Sequence, residues 1–239
     1  MNSTTASLVN LRDVGGLPLG GGGVARSGVL YRGDASYDGD VAPVHVAVWP
    51  PAAVVDLRTA AEIDRAPHAW PDATAVHHRP LHAAAVPASL RASGDIGDVY
   101  DFILATVPDR VAGVVDLVAA QPGPVLVHCA AGKDRTGIVI AALLLSAGVE
   151  PEAVVADYVA TASNMPAVVR RLVDRGMGGA GDTSLPSSWA DAPQAAVEKV
   201  VDRFTSHPGG VDGWLVQHGA RPARLDQWRH RLSGVEQVR

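Results

Sequence analysis

A single cysteine, Cys129, excludes a disulfide within the chain and any thiolate-rich metal site. Positive charge is scarce as well: 20 Lys and Arg stand against 25 Asp and Glu, a formal net charge of -5. A nucleic-acid protein would normally carry a basic face, so that class is set aside. An anionic ligand must instead be drawn in by a local positive site. Long apolar runs are missing. The longest near the middle, Gly137 to Leu145, is too short to cross a bilayer, and MNSTTASLVNLRD lacks a basic start followed by an apolar stretch. These absences predict a soluble, cytoplasmic protein with no transmembrane segment; export without a cleaved signal stays open. Phe occurs only twice, within an Ala-, Val- and Gly-rich background that carries little functional content.

What is present suffices for a sizeable core. Hydrophobic residues make up 47% and charged residues 19%, the balance of a folded protein. Asn10 to Arg32 places short apolar runs around a glycine cluster, the pattern of a β-hairpin. A helix is predicted over Val41 to Trp49, stopped by Pro50-Pro51. Ala52 to Leu57 and Pro124 to Cys129 read as strands buried on both faces, and Ala75 to Leu81 as a weaker one. Ile96 to Gln121 is helical, interrupted at Pro108. Thr136 to Ala147 is an apolar helix ended by Gly148, followed by a helix from Pro151 to Ala162. Strands alternating with helices predict an α/β fold with a largely parallel central sheet flanked by helices. Met165 to Ser206 holds two helices around a Gly/Ser/Pro-rich break and reads as a helical insertion in a single domain. Two short closing helices are expected from Gly209 to Gly219 and from Pro222 to Leu232.

The informative segment is Val127 to Gly137, VHCAAGKDRTG. A buried strand ends at His128-Cys129, five residues separate Cys129 from Arg135, and an apolar helix begins near Thr136. A short loop between a strand and a helix N-terminus turns its amides inward and gathers the positive end of the helix dipole, making an anion site. That field favours the thiolate form of Cys129. Arg135 can grip two phosphate oxygens with its planar fork, which Lys cannot do. Gly132 permits a tight turn, the Thr136 hydroxyl can donate to the departing sulfur, and His128 supports the loop from behind. These parts suit in-line attack on a phosphate ester through a phosphocysteine. The loop amides of Ala130, Ala131, Gly132 and Lys133 would join Arg135 around the phosphate. No cofactor and no metal is required.

The segment resembles the signature of cysteine-based protein tyrosine phosphatases: His-Cys, five residues, then Arg-Ser/Thr. The fuller HCAAGKDRTG is similar to the bacterial and fungal branch that carries a Lys-Asp pair in the loop. NLRDVGG, GVLYRGD, VVDLRTAAEI, DYVATASNM and GWLVQHGARPARL agree in order, so the resemblance spans most of the chain. It implies that Lys133 adds charge for substrates with more than one phosphate. It also implies that Asp134 is the general acid or orients the loop, and that Asp56, in the DLR segment, lies at the C-terminal end of a strand beside the ligand. Phosphotyrosine in proteins is the implied substrate, with a phosphoinositide as the alternative and a phosphate-binding module without turnover as a third reading. Oligomeric state is not legible.

Other residues carry competing readings. Cys129 alone could be a buried thiol or belong to a rhodanese-type sulfurtransferase, but the Lys133-Asp134 pair and the Arg135-Thr136-Gly137 ending point elsewhere. Trp70-Pro71-Asp72 copies the acid loop of the larger tyrosine phosphatases. Its place before the strand Ala75 to Leu81 puts it at the end of the sheet opposite the site, as a plain turn. His77, His78 and His82 alternate across a strand and do not converge on a metal. Gly137 is expected to support the loop. Arg170, Arg171 and Arg175 form either a solvated helix face or a greeting surface for an anion. Arg12 with Asp13, and Arg58 with Glu62, read as ion pairs. Should Asp134 not be the acid, Asp56, Asp95, Asp98 and Asp101 are the next candidates.

Overall fold

The computed structural model describes residues 7–81, 89–90, 95–175 and 191–234. Its sheet contains β1 (Arg12–Asp13), β2 (Leu30–Gly33), β3 (Ala53–Asp56), β4 (Ala75–His78) and β5 (Val125–His128), in the order β1-β2-β5-β3-β4. The last four run parallel to their neighbours, while β1 closes an antiparallel hairpin with β2. The architecture is therefore α/β with a mostly parallel sheet. The register sets Gly33, His128 and Asp56 side by side at the C-terminal edge, where parallel sheets present their ligand sites.

Alternation along the strands divides the core in two. Leu30, Ala53, Val55, Val125 and Val127 face the large cluster built with the helices. Tyr31, Val54 and Leu126 face the other way and are covered by Leu8, Leu11, Val46, Trp49 and Trp70. Helices among the described residues include α1 (Ala60–Arg65), α2 (Ile96–Thr106), α3 (Pro108–Ala120), α4 (Asp134–Ser146), α5 (Pro151–Val159), α6 (Met165–Asp174), α7 (Gln194–Thr205), α8 (Gly210–Gln217) and α9 (Pro222–Ser233). Pro108 does break the long helical stretch, separating α2 from α3 at Val107. From Thr136 to Ser146 every residue of α4 is buried, the signature of a helix surrounded on all sides. No helix among the described residues is long and apolar enough to cross a membrane.

Two local expectations change. Val41 to Trp49 forms no helix. Val44, Val46 and Val48 alternate exposed, buried, exposed, which is an extended period, and β-branched residues are poor helix formers. The segment is tied instead by tertiary bonds, from the Val48 amide to the Tyr31 hydroxyl oxygen and between His45 Nε2 and the Leu11 carbonyl. Conversely, α1 forms where no helix was expected. Thr59 and Glu62 make a capping box, each side chain meeting the other's backbone amide. Within Met165 to Ser206, the second helix packs inward: Ala196, Val197, Val200, Val201 and Phe204 of α7 belong to the main cluster. The break between α6 and α7 lies almost wholly outside the described residues.

Phe204 is fully buried and its ring meets Trp214 at 4.9 Å between centroids. Phe204→Ala should destabilise the protein by about 3–5 kcal/mol, read as a lowered denaturant midpoint. A change within about 0.5 kcal/mol, the range of surface substitutions, would make α7 peripheral.

Candidate active site

β5 ends at His128, and the chain then runs through Cys129 to Lys133 before α4 starts at Asp134. Every carbonyl from His128 to Gly132 accepts a hydrogen bond. Leu57 N donates to the His128 carbonyl, His128 Nδ1 to the Cys129 carbonyl and Ala35 N to the Ala130 carbonyl. Asn10 Nδ2 donates to the carbonyls of Ala131 and Gly132, and Arg32 Nη2 also reaches the Gly132 carbonyl at 3.0 Å. With the carbonyls of Cys129 to Gly132 held outward, the trans peptides turn the amides of Ala130 to Lys133 the other way. The turn is thus a ring of inward donors at a helix N-terminus, the geometry of an anion cradle. Gly132 makes it possible. It has φ +70°, and a Cβ there would lie 2.2 Å from the Gly33 carbonyl oxygen.

The donors to the turn are themselves anchored. Asp157 of α5 receives Arg12 Nε at 2.8 Å and Arg32 Nη1 on its other oxygen. Arg12 also reaches the Asp157 carbonyl, Thr161 Oγ1 and Asn10 Oδ1, and Asn164 Nδ2 donates to the same Asn10 oxygen. Burial works to raise the Asp157 carboxyl, but Arg32 and Arg12 outweigh it and hold it below its usual range. Arg12 is brought down to about 10 by burial and by the like charge of Arg32. Asn10, Arg12, Arg32 and Asp157 went unrecognised as site residues. Their signal is the order of NLRD, LYR and DYVATASN around the loop motif, which carries no pairing information.

Cys129 is 2% exposed at the floor of the cradle. Arg135, in the first turn of α4, meets Glu62 end-on: Nη1 to Oε2 at 2.7 Å and Nη2 to Oε1 at 2.6 Å, with Nη1 also on the Leu57 carbonyl. Its Nε edge takes no acceptor among the described residues and remains for an anion. Burial would raise the Glu62 carboxyl, but Arg135 and the Thr59 cap outweigh it and bring it down to about 2. Thr136 Oγ1 is fully buried with no partner among the described residues, a polar atom that calls for an explanation. Gly137 lets Tyr158 approach, since a Cβ there would meet its ring at 2.9 Å.

The expected local pairs are redrawn. Arg58 turns to Asp56, not Glu62, with Nε and Nη2 on its two oxygens. Asp13 accepts from the amides of Gly15 and Gly28, while Arg12 goes to Asp157. Asp56 is 6% exposed, and its carboxylate lies 3.8 Å from His128 Nε2. Burial pushes it up, but His128 and Arg58 outweigh that and keep it below its usual range. Lys133 is buried, its ammonium 2.8 Å from the Asp191 carbonyl and 3.4 Å from Asp134 Oδ1. Asp134 remains one-third exposed and accepts from the Tyr100 hydroxyl.

Asp72 is exposed in the turn Pro71–Thr74, before the N-terminal end of β4. Arg171 fits neither of its two readings: it is buried, paired with Asp34 and Asp40, and lies with Arg175 against the Tyr37 ring. Arg170 is exposed. Asp95 and Asp98 bind Lys199, and Asp101 binds Arg203. No group of His, Cys, Asp and Glu able to hold a metal occurs among the described residues, and His82 lies outside them.

Fold and loop together define a class, an α/β protein whose cysteine sits in a turn of inward amides between a parallel strand and a helix. The model of the tyrosine phosphatase family matches residues 3–234, and the chain belongs to that family. Among curated relatives, a tyrosine-protein phosphatase of Nostoc commune is 33% identical over 121 residues, which cover 48% of this chain and 41% of that protein. The triple specificity protein phosphatase PtpB of Mycobacterium tuberculosis is 46% identical over 59 residues, 25% of this chain and 21% of that protein. The matched segments span less than half the length of either relative.

The Glu62–Arg135 pair has a pH signature. A carboxyl depressed to about 2 when folded, against ~4.3 unfolded, contributes stability above the unfolded value and loses it as pH falls toward the folded one. Glu62→Gln should therefore lower Tm near neutral pH, and its deficit should shrink between about pH 5 and pH 2. A deficit independent of pH would show that the pair is not ionic.

Proposed function

We propose that this protein hydrolyses phosphate monoesters through a phosphocysteine, with phosphotyrosine in proteins as its substrate class. The observation that carries the proposal is the outward tethering of four successive carbonyls, from Cys129 to Gly132, above a buried thiol and beside an Arg135 fork fixed at its far end. Family membership and the printed names of both relatives support it.

In this reading the phosphate sits against the amides of Ala130 to Arg135 and the free edge of Arg135. The Cys129 thiolate attacks phosphorus opposite the ester oxygen; an S–P bond forms and the O–P bond breaks. The leaving oxygen takes a proton from Asp134, which is exposed enough to meet it. Water then attacks the phosphocysteine while the Asp134 carboxylate accepts its proton, and the thiolate departs. Donors aimed at the equatorial oxygens stabilise the charge of both transition states. The buried hydroxyl of Thr136 is assigned to the departing sulfur. Asp56 acts through Arg58 and His128 as a brace behind the loop.

The phosphoinositide alternative rests on Lys133 as a second cation for a further phosphate. Its ammonium, turned to the Asp191 carbonyl and to Asp134, favours the phosphotyrosine reading. A cytoplasmic setting suits a lone reactive thiol, which reducing compartments preserve.

Cys129→Ser should bind phosphate analogues yet show no turnover of an aryl phosphate. Arg135→Lys, retaining charge without the fork, should lose at least about a hundredfold in kcat/KM, the cost of one oxyanion donor. Turnover by Cys129→Ser near the parent rate would overturn the covalent mechanism. Lys133→Ala should cost phosphotyrosine peptide and phosphoinositide hydrolysis equally; a loss confined to the lipid would favour the alternative.

A further inference from the structure

Asp134 is approached by two buried phenols from different helices. Tyr100 of α2 donates its hydroxyl to Asp134 Oδ1 at 2.6 Å, and the Tyr158 hydroxyl of α5 lies 2.6 Å from that of Tyr100. The rings meet edge to face at 85°, and both residues are 1% exposed. Tyr100 has one proton and gives it to the carboxylate. The proton between the two phenols therefore comes from Tyr158, and the chain runs in one direction: Tyr158 to Tyr100 to Asp134.

Two buried tyrosines could have satisfied each other and ended there. These extend instead to the one carboxylate of the turn that solvent reaches. Gly137 is part of the arrangement, because any side chain at that position would push the Tyr158 ring away. The remaining charges around Asp134 are accounted for. Lys133 is 3.4 Å away, Arg135 is adjacent on α4, and Arg32 of β2 acts on Tyr158. Lys199 of α7 is taken by Asp95 and Asp98.

We infer that Tyr100 and Tyr158 are positioning residues for proton donation by Asp134, a proposal that rests on the role given to Asp134 above. As the ester O–P bond breaks, Asp134 transfers its proton to the leaving oxygen and becomes a carboxylate. Tyr100 already points a hydrogen at the oxygen that gains this charge, and Tyr158 supports Tyr100. No reorganisation is needed at that moment, which is where preorganised donors act. Burial, with Asp134 nearby, pushes both phenols above their usual range, so each stays a donor. In the second step the same bond orients the carboxylate toward the attacking water.

The test is Tyr100→Phe, which keeps the ring and removes the donor. A hydrogen bond to a charged group corresponds to roughly 10- to 100-fold in rate. That loss is expected in kcat for an alkyl phosphate, whose poor leaving group needs the acid, with KM unchanged. The loss for 4-nitrophenyl phosphate should be much smaller. Tyr158→Phe should move the same way by less. In an Asp134→Asn background, Tyr100→Phe should cost nothing further, because the group it serves is gone. Equal losses on both substrates, or additive losses in the double variant, would overturn the proposal and leave the tyrosines as packing. If Asp134→Asn itself shows no dependence on the leaving group, the assignment of Asp134 falls, and this proposal with it. Loss by Asp134→Asn without loss by Tyr100→Phe removes the tyrosines alone.

Discussion

The site depends on which way a few carbonyl groups point. A turn that leaves a strand and enters a helix can present either its oxygens or its amides to the centre. Here the oxygens are pulled outward by Asn10, Arg32, His128 and two backbone amides. The inward-facing amides are the other side of that choice. Asp157 is the deepest support, because one carboxylate binds both arginines that bear on the turn, Arg32 directly and Arg12 through Asn10. A pair buried in this way adds little net stability, yet losing one partner leaves an uncompensated charge. Its value lies in fixing geometry.

The chain's negative charge and its anion site are compatible because the positive potential is local. It comes from aligned amides, the N-terminus of α4 and the guanidinium of Arg135. Nearby acids are neutralised by specific partners, Asp157 by two arginines, Asp56 by Arg58 and Glu62 by Arg135. The field at the cradle is therefore positive in a protein that is acidic overall.

The loop and the strands were legible because they are local. VHCAAGKDRTG states the strand end, the turn and the helix start in eleven consecutive residues, and continuous apolar runs marked β3 and β5. The pairings were not legible. Arg12 and Asp157 lie 145 residues apart, and no local pattern joins them. Pairing Arg58 with Glu62 by proximity failed because Asp56, two residues away, takes Arg58, and because Glu62 is taken by Arg135. The Thr59 cap was written in the sequence as Thr-x-x-Glu and announced α1. Val41 to Val48 misled in the opposite sense, since its alternating valines describe an extended segment that covers the second face of the sheet. The tyrosine pair was beyond reach, as neither residue sits near the loop in the chain.

Glu62 has a further consequence. Its Oε2 closes the cap of α1 through Thr59 and also holds the Arg135 guanidinium, and the Leu57 carbonyl just before that helix holds the same group. The Arg135 guanidinium is thus aimed by the neighbouring strand-to-helix connection and not by its own loop. The cysteine-to-arginine motif is consequently not a portable module. Transplanted onto another strand and helix without the β3–α1 corner, it would carry the charges but not the aim. Inheritance of this chemistry therefore requires two separate stretches of chain to be kept in step.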